Sequence, residues 1–363
     1  MKSSYLLAGI KPGRLYALIR NNKGFSAQYA SRISFLLTIG MWAPLFEWRE
    51  KRHFGKQIQA IKQPASPLFI VGHWRTGTTF LHQLLALDPQ FNYMDVFKVS
   101  HPYHFLISRK YYEKVMSKFL KGSRPMDNVK LGMTEPQEDE YALVKMLDNL
   151  VLEGLLFQKK DRFFIDEDEE FMPQDEKQFF AALDLLIRKL QVEKEGAVIP
   201  LFKNPFHALR IQQLKEHYPE AKFINIVRDP LKVVPSTIHM WNIVGRQNIL
   251  KGKWIAPQTE AIAKIYRRIV ENIRNSFVQM DDNDTIEIRF EDLEKNPKET
   301  VRKIYQRLNL KYTDAFGQKL DAFIAGTKDY KKNTYQLPEA DQKAIHRIFG
   351  DYLPEYFETV QVV

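Results

Sequence analysis

Leu68-Phe-Ile-Val-Gly72-His-Trp-Arg-Thr-Gly77-Thr-Thr-Phe-Leu81 is the stretch whose reading decides the fold. Its first four residues are apolar, with branched and aromatic side chains, the composition of a strand buried on both faces. From Thr78 to Leu87, Phe80, Leu81, Leu84 and Leu85 fall at helical spacing. Between them lies a turn with the G-x-x-x-x-G spacing of a phosphate-binding loop. Strand, glycine loop and helix in this order set successive backbone N–H groups, and the positive end of a helix, in front of an anion. Where a nucleoside-triphosphate loop carries lysine after the second glycine, this chain has Thr78. Its cation is Arg75, inside the turn, a planar fork able to span phosphate and sulfate oxygens, and Thr76, Thr78 and Thr79 add hydroxyl donors. Glycines alone suit any strand-to-helix connection. Together with Arg75 and the flanking elements they predict an anion site.

Working outward, the same strand-then-helix pattern recurs. Ala197–Phe202 leads into a helix near His207–His217, Lys222–Val227 reads as a buried strand followed by Arg228-Asp-Pro and a helix, and Thr285–Phe290 precedes a helix opening near Pro297. This predicts an α/β fold: a P-loop-like central parallel sheet flanked by helices, joined by right-handed crossovers, with ligands bound beyond the carboxyl ends of the strands. We divide the chain into a basic, amphipathic helical extension, 1–63, and a main domain, 64–363, whose residues from about 95 to 190 form a helical insertion. The acidic run Asp166–Glu170 within it reads as a solvated face.

Phe202-Lys-Asn-Pro-Phe206 and Phe223-Ile-Asn-Ile-Val-Arg-Asp-Pro…Ser236 each place a cation at a strand end. Arg-Asp-Pro is also an ordinary helix start. In this order the loop Gly72–Thr79, the segment Ile226-Val-Arg-Asp-Pro…Ser236 and the late Phe290-Glu-Asp-Leu…Asn296-Pro-Lys-Glu-Thr resemble the 5′-phosphosulfate loop, the 3′-phosphate site and the C-terminal motif of sulfotransferases that use 3′-phosphoadenosine 5′-phosphosulfate (PAPS). The resemblance runs over roughly residues 65–350. Lys203-Asn-Pro-Phe…Tyr218-Pro-Glu-Ala-Lys-Phe is closer to bacterial and tyrosylprotein-type enzymes. It implies that Arg75, Thr76, Gly77, Thr78 and Thr79 hold the 5′-phosphosulfate. Arg228 and Ser236 would hold the 3′-phosphate, with Lys328, Lys331 and Lys332 as further contacts. Lys203 would stabilise the transferred group. His73-Trp74 stands where such loops more often have proline, a change that alters loop shape or sets an aromatic ring against substrate.

Sulfuryl transfer of this kind needs positioning, positive charge and a base for the acceptor hydroxyl. In related enzymes a glutamate soon after the Asp-Pro closing the first helix serves as base. Here Asp88-Pro-Gln-Phe-Asn-Tyr-Met-Asp95-Val-Phe-Lys98 contains none. We take Glu138 and His104 as the leading candidates, ahead of Asp95. His101 and His104 have no third ligand, and no metal is expected. The aromatic residues of the insertion suggest an apolar acceptor pocket.

The chain has no cysteine, which excludes disulfides, zinc thiolates, iron–sulfur clusters and a cysteine nucleophile. A reducing cytoplasm suits such a sequence, and no secretory signal is apparent. The apolar stretch Ile33–Phe46 contains Gly40 and Pro44 and falls short of the roughly 20 apolar residues a membrane span requires. Residues 1–63 hold eleven Lys/Arg against Glu47 and Glu50, so +9 of the net charge of +10 lies there. Such a segment suits an anionic membrane surface, and equally a pair of helices packed on the body with lysines in water. The remainder is close to neutral and carries no nucleic-acid module. The expected activity is transfer of a sulfuryl group from PAPS to an acceptor alcohol, with a sterol or lipid favoured. The alternatives are a P-loop kinase or NTPase, and a non-catalytic nucleotide-binding protein at a membrane surface.

Overall fold

Five short strands pair edge to edge in the computed structural model, which describes residues 6–116, 132–158, 163–165, 170–194, 198–326 and 335–350. They are β1 (Leu68–Val71), β2 (Phe91–Tyr93), β3 (Ile199–Lys203), β4 (Lys222–Val227) and β5 (Thr285–Arg289). Their order across the sheet is β2-β3-β1-β4-β5, and every pairing is parallel. The expected α/β architecture is what the chain adopts. One strand was not read from sequence: β2, three residues long at the sheet's edge.

Period-two alternation sorts the strands' side chains between two cores. Phe69 of β1 stacks between Phe202 of β3 and Phe223 of β4, with ring centroids 5.9 and 5.4 Å away. These rings join Leu183, Leu186 and Leu190 of the helix Glu176–Glu193 and Ile262, Ile265 and Ile269 of the helix Thr259–Phe277. On the opposite face Leu68, Ile70, Leu201, Ile224 and Ile226 meet Leu81, Leu84 and Leu85 of the helix Thr78–Leu85, with Val301 and Ile304 of the helix Pro297–Arg307. Both faces of the sheet are therefore covered, as its continuous apolar strands require.

Between β2 and β3 the described residues are mainly helical, with helices at Val96–Ser100, Phe105–Met116, Glu140–Met146, Glu153–Leu156 and Glu176–Glu193. Residues 166–169 of the acidic run lie outside the described residues. Ahead of the sheet, the helices Pro12–Asn21, Ala30–Gly40 and Ala43–Ala60 fold onto this body. Glu50 on the last of them is buried, pairs with Lys189 at 2.6 Å and accepts the backbone N–H of Leu106 at 2.8 Å. Arg32 donates to the carbonyls of Ile249 and Arg246. Arg14 reaches Asp148 and Glu153. Part of the amino-terminal positive charge thus serves intramolecular contacts. Among the described residues no helix is long and apolar enough to cross a membrane.

Candidate active site

After β1 the chain runs outward to β2, returns to β3, then crosses to β4 on the far side of β1. The reversal makes the carboxyl end of β1 the switch point, the place where ligands of such sheets bind. The loop Gly72–Thr79 occupies that point. Gly72 (φ 119°) and Gly77 (φ 107°) take backbone conformations that side chains rarely adopt, and a Cβ on Gly77 would lie 2.2 Å from the Phe290 ring. Arg75 also takes positive φ, 69°, without being glycine. A left-handed residue of this kind costs roughly 1–2 kcal/mol, so the turn holds Arg75 at a conformational expense.

The three threonines divide the work. The Thr76 hydroxyl is buried and donates to the His73 carbonyl at 2.8 Å, so it builds the turn. Thr78 and Thr79 open the helix that follows. His73 and Trp74 face inward. The His73 ring lies 4.5 Å from Tyr266, its Nδ1 is 2.8 Å from the Trp74 carbonyl oxygen, and burial pushes its pKa down to about 3. Trp74 packs edge-on to Phe206 and Trp241. An aromatic set against substrate is therefore not what this dipeptide supplies; the rings anchor the loop to the core below.

Arg75, Arg228 and Ser236, assigned from sequence to two subsites, form one connected cluster. Asp229 caps the helix Pro230–Asn248 by accepting the Leu231 N–H at 2.8 Å, with Pro230 at its first turn, and this turns Arg228 back over the loop. The Arg228 Nη1 donates to the Arg75 carbonyl at 3.2 Å, and the Arg75 Nε donates to the Ser236 hydroxyl at 2.9 Å. The Arg228 guanidinium lies 4.2 Å from the Phe290 ring centroid, so the late Phe-Glu-Asp-Leu segment closes against both the loop and this cation. Tyr266 donates to the Arg228 carbonyl at 2.7 Å. Burial lowers the pKa of Arg228, against the favourable charges of Glu291 and Glu294. Its Nε is buried with no hydrogen-bond partner. A buried guanidinium N–H left over beside a second guanidinium suits an anion.

Lys203 ends β3, next to β1 in the sheet, and its side chain is 2% exposed. Its Nζ lies 2.6 Å from Glu138 Oε1. The candidate cation and the candidate base, 65 residues apart in sequence, are thus brought together. The two acids after Glu138 are buried and held from the chain just beyond Lys203. Asp139 is 2.9 Å from His207 Nε2, and Glu140 receives a bidentate Arg210 at 2.8 and 3.0 Å. Asn204 donates to both, at 3.2 and 2.8 Å. Of three consecutive acids, Glu138 and Glu140 thus pair with Lys203 and Arg210, and Asp139 between them accepts from Asn204 with the His207 ring alongside.

The other candidate bases are placed differently. His104 packs between Phe46 and His101, with Nδ1 2.8 Å from the Ser108 hydroxyl, and burial drives its pKa down to about 2. It belongs to the interface with the helix Ala43–Ala60. Asp95 caps the helix Val96–Ser100 and pairs with Arg109. His101 is stacked against Phe97 and Tyr112, its pKa lowered by burial to about 4. Lys328, Lys331 and Lys332 lie outside the described residues. Among the described residues no group of three or more His, Cys, Asp or Glu could hold a metal ion.

Three features of the site were not read from sequence. His207 and Arg210 carry no motif. Tyr266 sits mid-helix at an apolar-spaced position that reads as core. His82, on the helix after the loop, is 1% exposed with both ring nitrogens unpartnered; burial, and then Lys203 nearby, hold it well below the usual imidazole pKa. It adds no positive charge beside Lys203 near neutral pH.

A profile of the sulfotransferase family matches residues 67–314. The omega-hydroxy-beta-dihydromenaquinone-9 sulfotransferases Stf3 of Mycobacterium bovis and Mycobacterium tuberculosis are each 30% identical over 324 residues, 88% of this chain and 80% of theirs. Among solved structures, the fold is similar to sulfotransferase STF1 of M. tuberculosis (TM-score 0.66, 17% identity, 94% of this chain and 90% of that one). It is also similar to STF9 of Mycobacterium avium (TM-score 0.64, 17% identity, 98% and 88%). The kinase alternative falls with these matches, in line with Thr78 at the lysine position. The chain belongs to the sulfotransferase family and is a sulfotransferase enzyme.

Proposed function

We propose that the donor is PAPS and that its sulfuryl group passes in line to the hydroxyl of an apolar, lipid-like alcohol. The observation that carries the reading is the joined cluster Arg75–Ser236 and Arg228 on the phosphate loop, with the Lys203–Glu138 pair on the adjoining strand end. Arg75, Thr78, Thr79 and the N–H groups around Gly77 bind the 5′-phosphosulfate. Arg228 and Ser236 bind the 3′-phosphate, with Lys331 and Lys332 as further contacts. A donor anionic at both ends needs two cationic contacts of this kind, whereas a nucleoside triphosphate does not need the second.

In the reaction, the acceptor oxygen attacks sulfur as the bond from sulfur to the bridging phosphate oxygen breaks. The electron pair of that bond leaves on the 5′-phosphate of adenosine 3′,5′-bisphosphate, and the acceptor proton goes to the Glu138 carboxylate. Arg75 and Lys203 supply the positive charge that stabilises the transferring group and the departing phosphate. Support for an apolar acceptor comes from the Stf3 relatives, whose name specifies a hydroxylated dihydromenaquinone. The cysteine-free chain suits work in the cytoplasm.

Adenosine 3′,5′-bisphosphate at about 100 times its Kd is expected to stabilise the protein by about 2.7 kcal/mol, with or without magnesium. Arg75→Ala is expected to remove that shift in a thermal melt. No shift, or an equal one from ATP with magnesium, overturns the donor assignment. With radiolabelled PAPS and a panel of hydroxylated isoprenoid lipids, sterols, phenols, sugars and peptides, label is expected on the lipid alcohols. Transfer confined to sugars or peptides overturns the acceptor class.

A further inference from the structure

Large apolar side chains left in water are concentrated at one place on the molecule. Leu37, Met41, Trp42, Leu45 and Trp48 follow one another along the helices Ala30–Gly40 and Ala43–Ala60, and Met41, Trp42 and Trp48 are each more than half exposed, at 56, 53 and 58%. The backbone stays right-handed helical through Met41 and Trp42. Met41, Leu45, Trp48 and Arg52 therefore recur at i, i+4, i+7 and i+11, one stripe along one side. The other side of that helix carries Ala43 and Glu50, both buried, and Glu50 is fixed by Lys189. The helix is held with its apolar stripe turned outward by a buried ion pair.

Charge continues where the apolar residues stop. Arg49, Lys51, Arg52 and Lys56 are exposed along the second half of the same helix. Arg52 lies 6.0 Å from the Trp48 ring and Arg49 5.8 Å from the ring of Tyr111, itself exposed on the neighbouring helix Phe105–Met116. Tryptophan and tyrosine beside arginine, on a rigid amphipathic helix too polar to span a bilayer, is the arrangement that lies in the interfacial zone of an anionic membrane. We infer that this face, Leu37–Trp48 with Arg49, Arg52 and Tyr111, docks on an anionic lipid surface, rings among the headgroups and arginines on the phosphates. The docking surface is one stripe and not the positive charge of residues 1–63 as a whole, because Lys11, Arg14 and Arg32 are engaged within the protein.

The inference is independent of donor and acceptor, since binding to lipid is measured without either, and its failure leaves the proposed reaction untouched. The full chain is mixed with phosphatidylcholine vesicles, with or without phosphatidylglycerol, and sedimented. Partitioning is expected to be about tenfold stronger on the anionic vesicles, with a blue shift of tryptophan emission and quenching by brominated acyl chains. Leu45→Ser/Trp48→Ser and Arg49→Glu/Arg52→Glu are each expected to weaken it at least about tenfold, with melting temperature unchanged because the side chains are exposed. Equal partitioning on both vesicle types, or unchanged partitioning of both variants, overturns the inference. So does loss of a concentration-dependent dimer in Leu45→Ser/Trp48→Ser without lipid binding by the parent, which would make a second copy the occupant. Point variants are used because deleting residues 1–60 would also leave Lys189 buried without Glu50.

Discussion

Glu138→Gln is expected to lower kcat by about 10²–10⁴-fold, the range for loss of a general base, while adenosine 3′,5′-bisphosphate still binds. Glutamine keeps the shape of the side chain and an oxygen for the Lys203 ammonium, now 2.6 Å from the carboxylate, but takes no proton at the pH of the assay. A structural counterion would behave otherwise: donor affinity would fall together with kcat. Rate loss under about threefold, or donor affinity falling in step with the rate, removes Glu138 from the chemistry. Lys203→Met is the companion measurement, since it removes the charge while leaving the carboxylate in place.

Arg210→Ala is expected to destabilise the fold by about 3–5 kcal/mol, the range for breaking a buried ion pair from one side. Arg210 is fully buried, gives both ends of its guanidinium to Glu140, donates Nε to the Phe171 carbonyl at 2.8 Å and covers the Phe179 ring at 4.9 Å. Alanine strands the Glu140 carboxylate in the interior with Asn204 alone, among the described residues, to serve it. The shift is read as the displacement of the urea midpoint at constant slope. Replacing both partners with apolar residues, Glu140→Leu/Arg210→Met, is expected to recover a large part of the loss, because it is the unpaired charge that is costly. A loss below about 1 kcal/mol for Arg210→Ala, or a double variant weaker than the single, contradicts this account.

Much of this could be read before any coordinates, for local reasons. β1, β3, β4 and β5 are runs whose apolar side chains suit a sheet covered on both faces, and the loop glycines mark the two positive-φ positions that need no side chain. Short motifs made it legible that Arg75 follows β1, that Arg228 follows β4 and that Ser236 lies in the next helix. β2 was not: Phe91-Asn-Tyr93 has no pattern of its own, and it exists because β3 offers it an edge. The contacts Asn204–Asp139 and Arg210–Glu140 were hidden for a related reason. Charged residues are ordinarily assigned to water, and only the folded chain, bringing residues 65 to 70 positions apart into contact, makes them interior. His104 misled in the opposite sense, since a histidine between aromatic residues reads the same whether it faces a substrate or a helix interface.

The ion pair between Glu50 and Lys189 also has a bearing on how the chain is made. Translation delivers the helix Ala43–Ala60 before Lys189, and the partner of its interior carboxylate follows only when synthesis reaches that residue, roughly seven to thirty seconds later at about 5–20 residues per second. Through that interval the nascent helix has its apolar flank bare and its inner flank unclosed, open to chaperone or bilayer alike. The helix Ala43–Ala60 is thus made well before the residue that secures it.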